Sequence, residues 1–333
     1  STPISLSRGH SWTARAADAA GDAEAARAEY AAAAEHPEAF YGQLAIAALS
    51  TSPTITVDMN TSVGAGRVTT MDNDELVQAI EILSSVDTTS KLLPRFVAAL
   101  GDRLEKREDF EAASALLMQL NRPAMAVRVA KKAMQKDLNV FRYAYPVLKL
   151  PPYQGRGEAP DPAFVLALMR QESEFDPNAR SGADARGIMQ MLPSTAKLTA
   201  NRHGIPYEPG RLLGDWEYNA TLGMAHLRDL LDQFDGSYVL VAVAYNAGPG
   251  RANQWIKEFG DPRSANVDVI DWIERIPFSE TRNYVMRLIE NASVYRAMLN
   301  GGTSPLLVET DLLHGSGRTD YQPSPRMASE TLR

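Results

Sequence analysis

Apolar residues recur every three to four positions along most of the chain, the spacing of amphipathic helices. In residues 1–50, which are rich in alanine, Gly21 and Asp22 separate two helical patterns and Pro37 opens a third. Helices that alternate in this way are typical of helical-hairpin solenoids, and a single hairpin rarely buries its own apolar face. We therefore expect this hairpin to pack against the rest of the chain.

Residues 51–73 interrupt the helical pattern. β-branched residues alternate there around Asn60 and two glycines, which predicts a loop or a small hairpin. Helical periods resume at Asp74, so this segment is predicted to be the break between two helical regions.

The rest of the chain is predicted to contain two more helical regions and a tail. Residues 74–150 hold four stretches of helical length and period, which predicts a helical linker domain. A segment rich in proline and glycine leads into residues 151–300, where helical patterns alternate with Gly/Pro loops and no sheet of several strands is indicated. Residues 301–333 are predicted to be a flexible tail; the alternative is that "LLVETDLL" docks on the body. The predicted fold class is all-α.

Composition and charge exclude several classes of function. The 333 residues are 44% hydrophobic and 23% charged, as in soluble globular proteins, and the net charge of −7 argues against binding to nucleic acid. The absence of cysteine excludes disulfides, thiol nucleophiles and Cys-ligated metals. No apolar run reaches the ~18 residues of a spanning helix, so stable membrane insertion is not expected. The first residues lack the pattern of a signal peptide, so we expect a mature or truncated chain.

An apolar helical stretch, "FVLALMRQESEF", ends with two glutamates. Glu172 follows Leu168 by four residues and Phe164 by eight, so it lies on their apolar side of the helix. Glu174 lies about 200° around the helix from Glu172 and must point elsewhere. The two acids are therefore not a catalytic pair.

The position of Glu172 near the end of its helix gives it a chemical interpretation. Pro177 disfavours helical backbone at Asp176, so the helix should end close behind Glu172. A partly desolvated carboxyl at such a position has a raised pKa and can act as a general acid. The alternative is a solvated glutamate or one bonded to backbone N–H groups.

Three further motifs carry polar residues in exposed or apolar settings. In "GIMQMLPSTA" the amide of Gln190 lies among apolar residues, and a structural hydrogen bond to the backbone is the plain alternative to a substrate contact. In "AYNAGPGR" a tight loop presents Tyr245 and Asn246. In "IPFSETRNYV" Glu280 complements the positive end of a helix dipole, and helix capping is therefore the structural alternative to a functional role for this residue.

Four motifs, "RQESEFDPNA", "GIMQMLPSTA", "AYNAGPGR" and "IPFSETRNYV", closely resemble in order and spacing those of the soluble lytic murein transglycosylases of the Slt type. The resemblance covers about residues 150–300 and implies an all-α, goose-lysozyme-like catalytic domain. Upstream, "HPEAFYGQLA" resembles the end of that family's N-terminal solenoid, which implies that residues 1–50 are the end of an α-solenoid, and residues 74–148 resemble its linker helices. Most of that solenoid is missing, so we expect either a cut chain or a short relative.

The resemblance also implies the roles of individual residues. Glu172 is the sole catalytic acid and base, and Tyr245 is the phenol hydrogen-bonded to it. The implied substrate-binding residues are Ser173, Gln190, Met191, Leu192, Asn246 and Glu280. Where the family commonly has Gly-Ala-x-Gly before Met-Gln, this chain has "GADARG", so Asp184 and Arg186 are expected to change the shape of that loop without affecting the acid.

The implied reaction needs only one carboxyl group. Ordinary glycosidases use two carboxylates across the scissile bond, whereas in this family the C6 hydroxyl of N-acetylmuramic acid (MurNAc) attacks its own C1 and leaves a 1,6-anhydro end. No metal or cofactor is implied; the implied partner is the peptidoglycan glycan strand, and the implied location is the periplasm. The alternatives are a hydrolytic muramidase with Glu280, Glu174 or Asp176 as the base, and a non-catalytic wall-binding scaffold.

Overall fold

The structure is a computed structural model that describes residues 2–60, 71, 74–86, 92–318 and 321. Helices dominate the described residues, with one short 3-10 helix and two strands of three residues, so the predicted all-α class is confirmed. In the described part of the chain, no helix is long and apolar enough to cross a bilayer.

The N-terminal region forms three helices that pack on one another. They are α1 (Pro3–Ala20), α2 (Ala23–Ala34) and α3 (Phe40–Leu49). Gly21 ends α1 in the left-handed conformation, with φ of 80°, and the Asp22 side chain accepts a hydrogen bond from the Ala25 N–H at the start of α2. The predicted break at Gly21 and Asp22 is therefore the turn of the hairpin.

Five helices follow in the described residues of the predicted linker region, which leave out residues 87–91. They are α4 (Glu75–Val86), α5 (Leu93–Arg103), α6 (Arg107–Gln119), α7 (Pro123–Gln135) and the short α8 (Phe141–Ala144). The predicted catalytic region then contributes α9 (Pro162–Ser173), α10 (Pro193–His203), the 3-10 helix Pro209–Leu212, α11 (Trp216–Gln233), α12 (Tyr238–Ala247), α13 (Pro249–Phe259), α14 (Val269–Glu274) and α15 (Ser279–Leu299).

The predicted regions share one continuous apolar core. It runs from Phe40 in α3 to Leu312 near the end of the described chain and includes both α9 and α15, which pack along each other. A smaller cluster around Met191 and Leu222 joins α10, α11 and the 3-10 helix beside the loop that precedes α10. Of the N-terminal helices, α3 therefore belongs to this core, and Trp12 of α1 packs against it.

The segment predicted as a loop or small hairpin contributes one strand to a remote pair. β1 (Thr54–Thr56) pairs antiparallel with β2 (Thr303–Pro305), and Ile55 lies opposite Ser304. A local hairpin partner for β1 does not occur in the described residues, because the chain after Leu299 returns to supply it. Residues 61–70, 72 and 73 of the prediction lie outside the described residues.

The prediction of a flexible tail is wrong for residues 301–318. After β2 the chain forms α16 (Val308–Leu313), whose buried side chains are Val308, Asp311, Leu312 and Leu313. Arg296 donates to both carboxylate oxygens of Asp311, at 2.6 and 3.0 Å, and the His314 ring stacks on Tyr238 with centroids 4.3 Å apart. The alternative that "LLVETDLL" docks on the body is therefore confirmed, because its apolar residues complete the core. Residues 319, 320 and 322–333 lie outside the described part.

Candidate active site

Glu172 lies in the last turn of α9, where the prediction places it. The Asp161 carboxylate caps the start of this helix by accepting from the Ala163 N–H at 2.9 Å. The helix ends at Ser173 because Glu174 and Phe175 adopt left-handed backbone conformations, with φ of 54° and 67°. The prediction that the helix ends close behind Glu172 is confirmed.

The Glu172 carboxyl is partly buried and has one strong hydrogen-bond partner. The hydroxyl of Tyr284, in α15, donates to its Oε1 at 2.5 Å. Burial raises the pKa of Glu172 from 4.5 to about 7, the hydrogen bond from Tyr284 acts to lower this pKa, and the nearby charge of Glu280 raises it. The carboxyl can therefore exist in either protonation state near neutral pH, as a general acid and base requires.

Glu174 lies in a different electrostatic environment. Its carboxylate accepts from Arg128 at 2.5 Å and from Lys131 at 2.6 Å, both on α7. Burial acts to raise the Glu174 pKa, but these two cations outweigh it and lower the pKa below its usual value. Glu174 is thus an anion at neutral pH that forms ion pairs between the end of α9 and α7, and it does not form a catalytic pair with Glu172.

The structure corrects the predicted hydrogen bond between Tyr245 and the acid. The Tyr245 hydroxyl donates instead to the Met189 carbonyl at 2.8 Å, with the Met191 sulfur at 3.7 Å. Burial, and then the charge of Glu172, raise the Tyr245 pKa well above 10, so Tyr245 lies near the acid without bonding to it. The phenol that bonds to the acid is Tyr284.

Sequence reasoning identified Glu280 on α15 but missed Tyr284, four residues later. Residues four apart lie on one face of a helix, so an α15 face that brings Glu280 towards Glu172 also brings Tyr284. That spacing is the signal that could have found Tyr284. The spacing does not predict that α15 packs along α9, and this packing brings the Tyr284 hydroxyl to Glu172.

Ser173 and Gln190 hold the loop next to Glu172. The buried Ser173 hydroxyl donates to the Ile188 carbonyl at 2.8 Å, and the Gln190 amide N–H₂ donates to the carbonyls of Gly187 and Ala179 at 2.8 and 3.1 Å. The donors of both residues are therefore directed at the protein backbone. For the Gln190 amide N–H₂ these are the structural hydrogen bonds to the backbone that are the alternative to a substrate contact. The contact of both residues with the sugar stays a prediction.

The remaining predicted cleft residues differ in exposure. Met191 is buried, whereas Leu192 is 39% exposed. Asn246 is held by the Thr281 hydroxyl, which donates to its Oδ1 at 2.7 Å and so connects α12 to α15. Glu280 is exposed in the first turn of α15 and makes its electrostatic contribution at Glu172. Of this group, Leu192 and Glu280 are the side chains most available to a ligand.

Two ion pairs to Asp184 hold the loop that departs from the family pattern. Asp184 has a left-handed backbone, with φ of 66°, and its carboxylate bonds to Arg180 at 2.7 Å and Arg186 at 2.9 Å. The positive φ is a conformation that glycine adopts at little cost. The two arginines therefore form ion pairs with the aspartate at this left-handed position, and these ion pairs hold the loop in its folded form.

His226 lies beside Tyr245, and the centroids of the two rings are 5.5 Å apart. Burial lowers the pKa of His226 to about 4, so it is neutral at physiological pH. His203 accepts from the Arg156 N–H and pairs with Asp229. Both histidines contact other protein groups, and the structure groups neither with two further His, Asp or Glu residues in its described part.

Comparison with known proteins finds similarity in the central part of the chain. Residues 153–267 match the family profile of the Transglycosylase SLT domain. The soluble lytic murein transglycosylase of Escherichia coli K12 is 36% identical over 148 residues, which cover 44% of this chain and 22% of that protein. The protein of the same name from Salmonella typhimurium is 36% identical over 143 residues, 42% of this chain and 21% of that protein. The match thus spans less than a quarter of the length of these relatives.

A solved structure extends the similarity to nearly the whole chain. The structure of an inactive Glu-to-Gln mutant of the lytic transglycosylase Slt from Pseudomonas aeruginosa superposes with a TM-score of 0.72 at 28% identity. The superposition covers 90% of this chain and 47% of that one. The likeness therefore extends well beyond residues 153–267, which the family profile matches.

Proposed function

The chain carries a transglycosylase SLT domain, and from this premise we propose that it is a peptidoglycan lytic transglycosylase. It cleaves the β-1,4 bond between MurNAc and N-acetylglucosamine and leaves a 1,6-anhydroMurNAc end. The observation that carries this proposal is the single carboxyl of Glu172, partly buried, bonded to Tyr284 and titrating near pH 7. The names of the relatives support the same class of reaction.

In the first step Glu172 acts as the acid. Its protonated carboxyl donates a proton to the oxygen that bridges the two sugars, and the bond from this oxygen to C1 of MurNAc breaks. Because the pKa lies near 7, a large fraction of the enzyme holds this proton at neutral pH, whereas a carboxyl with the usual pKa of 4.5 would have lost it.

In the second step the same group acts as the base. The carboxylate accepts the proton of the C6 hydroxyl as O6 forms a bond to C1 of the same sugar. This closes the anhydro ring and restores the protonated acid, so atoms and charge balance without water. The attacking hydroxyl belongs to the sugar that reacts, which removes the entropic cost of recruiting a second molecule.

Tyr284 positions the acid in this scheme. Burial and the charge of Glu172 raise the Tyr284 pKa well above 10, so its hydroxyl keeps a proton to donate at any pH of interest. Its hydrogen bond fixes the carboxylate and favours the ionised form, which keeps the pKa from rising further. Tyr245 supports the site from its bond to the Met189 carbonyl.

A hydrolytic muramidase is the second candidate. The hydrogen bonds of two of its three candidate carboxylates reduce the number that could act as its base. Glu174 is paired with Arg128 and Lys131, and the Asp176 carboxylate accepts from the Asn178 N–H at 2.9 Å. Glu280 is left, because it is exposed and its charge reaches Glu172. A non-catalytic wall-binding role has less support, because a carboxyl with a pKa near 7 is not needed to bind glycan.

The substrate defines the expected partner and location. We propose glycan strands of peptidoglycan as the partner and the periplasm as the location, since the substrate lies outside the inner membrane. The net charge of −7 does not favour a nucleic acid as an additional ligand.

Product analysis tests the proposal directly. Purified peptidoglycan is digested with the protein and the muropeptides are analysed by mass spectrometry. We expect products one water lighter than those of a muramidase, and no such products from the Glu172→Gln variant. Reducing ends alone would establish the muramidase instead, and no release of muropeptides by the folded protein would leave the wall-binding role.

A further inference from the structure

Three side chains with metal-ligating atoms meet outside the candidate active site. His36 and Glu38 lie in the turn between α2 and α3, and Asp137 lies in the turn after α7. One ring nitrogen of His36 and one carboxylate oxygen from each acid lie within 4.8 Å of one another. Two separate regions of the chain thus bring one nitrogen and two oxygen ligands to one point.

His36 supplies a second, independent observation. Its Nδ1 atom is buried and has no hydrogen-bond partner in the described part of the chain. A buried polar atom without a partner costs free energy, which proteins normally avoid by pairing it with protein, water or an ion. A metal ion bound through Nδ1 would satisfy this atom.

The charges around the cluster also favour a cation. Two of the three side chains, Glu38 and Asp137, are carboxylates, and the negative charge of Glu290 also acts on Glu38. Arg287 is the cation that pairs with Glu290, at 2.5 Å. A divalent ion between Glu38 and Asp137 would offset their mutual repulsion.

We propose that His36, Glu38 and Asp137 bind one divalent transition-metal ion of the zinc class, with Nδ1 as the nitrogen ligand. Mixed imidazole and carboxylate ligands are typical of Zn²⁺ sites, whereas Ca²⁺ and Mg²⁺ prefer oxygen ligands alone. Three protein ligands leave the fourth tetrahedral position to water.

Such an ion would connect the turn before α3 to the turn after α7. The same turn already docks on α15, since the Phe40 N–H donates to the Glu290 carboxylate at 2.7 Å and the Gln43 amide donates to the Glu290 carbonyl at 3.0 Å. The site would therefore stabilise the contact between the N-terminal hairpin and the helices that follow it, rather than take part in chemistry at Glu172.

Zinc binding to the full chain tests this proposal by titration calorimetry with ZnCl₂. Asp137→Asn is the main variant, because asparagine tolerates the left-handed backbone at this position, with φ of 61°, and removes one anionic ligand. His36→Gln removes the nitrogen ligand. Glu35→Gln is the matched control, because Glu35 is exposed in the same turn and is outside the cluster.

We expect one Zn²⁺ per chain, at least about tenfold weaker binding in both cluster variants, and unchanged affinity in the control. The visible spectrum of bound Co²⁺ should change when His36 is replaced. No stoichiometric binding by the wild type, wild-type affinity in either cluster variant, or an equal loss in Glu35→Gln would each overturn the site.

Discussion

Glu172 and Glu174 are two residues apart, yet the structure shifts their pKa values in opposite directions. The side chain of Glu172 is bonded to a neutral phenol and its pKa rises to about 7. Glu174 lies between Arg128 and Lys131, which lower its pKa against the effect of burial. The end of α9 thus separates a group that can exchange a proton near neutral pH from one that stays ionised.

This contrast makes Glu174 the matched control for the catalytic variant. Glu172→Gln should lower turnover by at least ~10²-fold, because the amide cannot donate the proton, while the fold is kept. Glu174→Gln should keep most of the activity and lose about 0.2–1 kcal/mol of stability, since its cationic partners are half exposed. Turnover on purified peptidoglycan and urea denaturation measure both effects. Near-normal turnover in Glu172→Gln would mean that another group is the acid.

Tyr284→Phe should change the pH profile as well as the rate. The hydrogen bond from Tyr284 lowers the Glu172 pKa, so its removal raises that pKa further. The acid must be protonated to act, and activity is lost as pH rises through the pKa; the alkaline limb of kcat/KM, near pH 7 in the wild type, should therefore move to higher pH in the variant. A lower rate with the limb unmoved would indicate a packing role alone.

Tyr245→Phe should have a smaller effect than Glu172→Gln. Its hydroxyl bonds to the Met189 carbonyl and not to the acid, so the expected loss is about 0.5–1.5 kcal/mol of stability and a modest decrease in rate, with glycan binding kept. Denaturation, kcat and binding of non-cleaved glycan measure the three quantities separately. A loss as large as that of Glu172→Gln would show that Tyr245 acts on the acid itself.

The raised pKa of Glu172 also predicts how stability depends on pH. The folded state keeps this proton up to about pH 7, whereas the unfolded chain loses it near pH 4.5, so this group makes the protein less stable as pH rises between those values. Glu172→Gln should therefore be about 1–3 kcal/mol more stable than wild type at pH 8, and nearly equal to it at pH 4. Chemical denaturation at both pH values checks the sign, and an equal difference at both would contradict it.

The docked C-terminal segment predicts a large effect from a side chain that the sequence places in a tail. Leu312 is 3% exposed and belongs to the main core, whereas Leu307 is 37% exposed. Leu312→Ala should cost about 2–5 kcal/mol of unfolding free energy, and the matched variant Leu307→Ala should cost much less. Equal and small losses of unfolding free energy in the two variants would instead support a flexible tail.

Local rules were sufficient to place Glu172 at the end of its helix. The apolar spacing of Phe164, Leu168 and Glu172, with Pro177 behind them, predicts both the face of the carboxyl and the end of its helix, and the structure agrees with both. These features depend on residues within about three helical turns of one another, so the sequence alone can determine them.

Features that depend on remote packing were not accessible from the sequence. The bond from Tyr284 to Glu172 requires α15 to lie along α9, and the strand partner of Ile55 is Ser304, near the other end of the chain. The tail was misassigned because its glycines and prolines are typical of loops, while its few apolar residues only gain a role once a core exists for them to complete.

The profile match ends at residue 267, and the helix that carries Tyr284 begins twelve residues later, at Ser279. A fragment trimmed to residues 153–267 would keep Glu172 but lose Tyr284, which donates a hydrogen bond to its carboxyl, and the long helix α15, which packs along α9. The stretch matched by the profile is therefore shorter than the unit that has to fold together to place the Tyr284 hydroxyl on the Glu172 carboxyl.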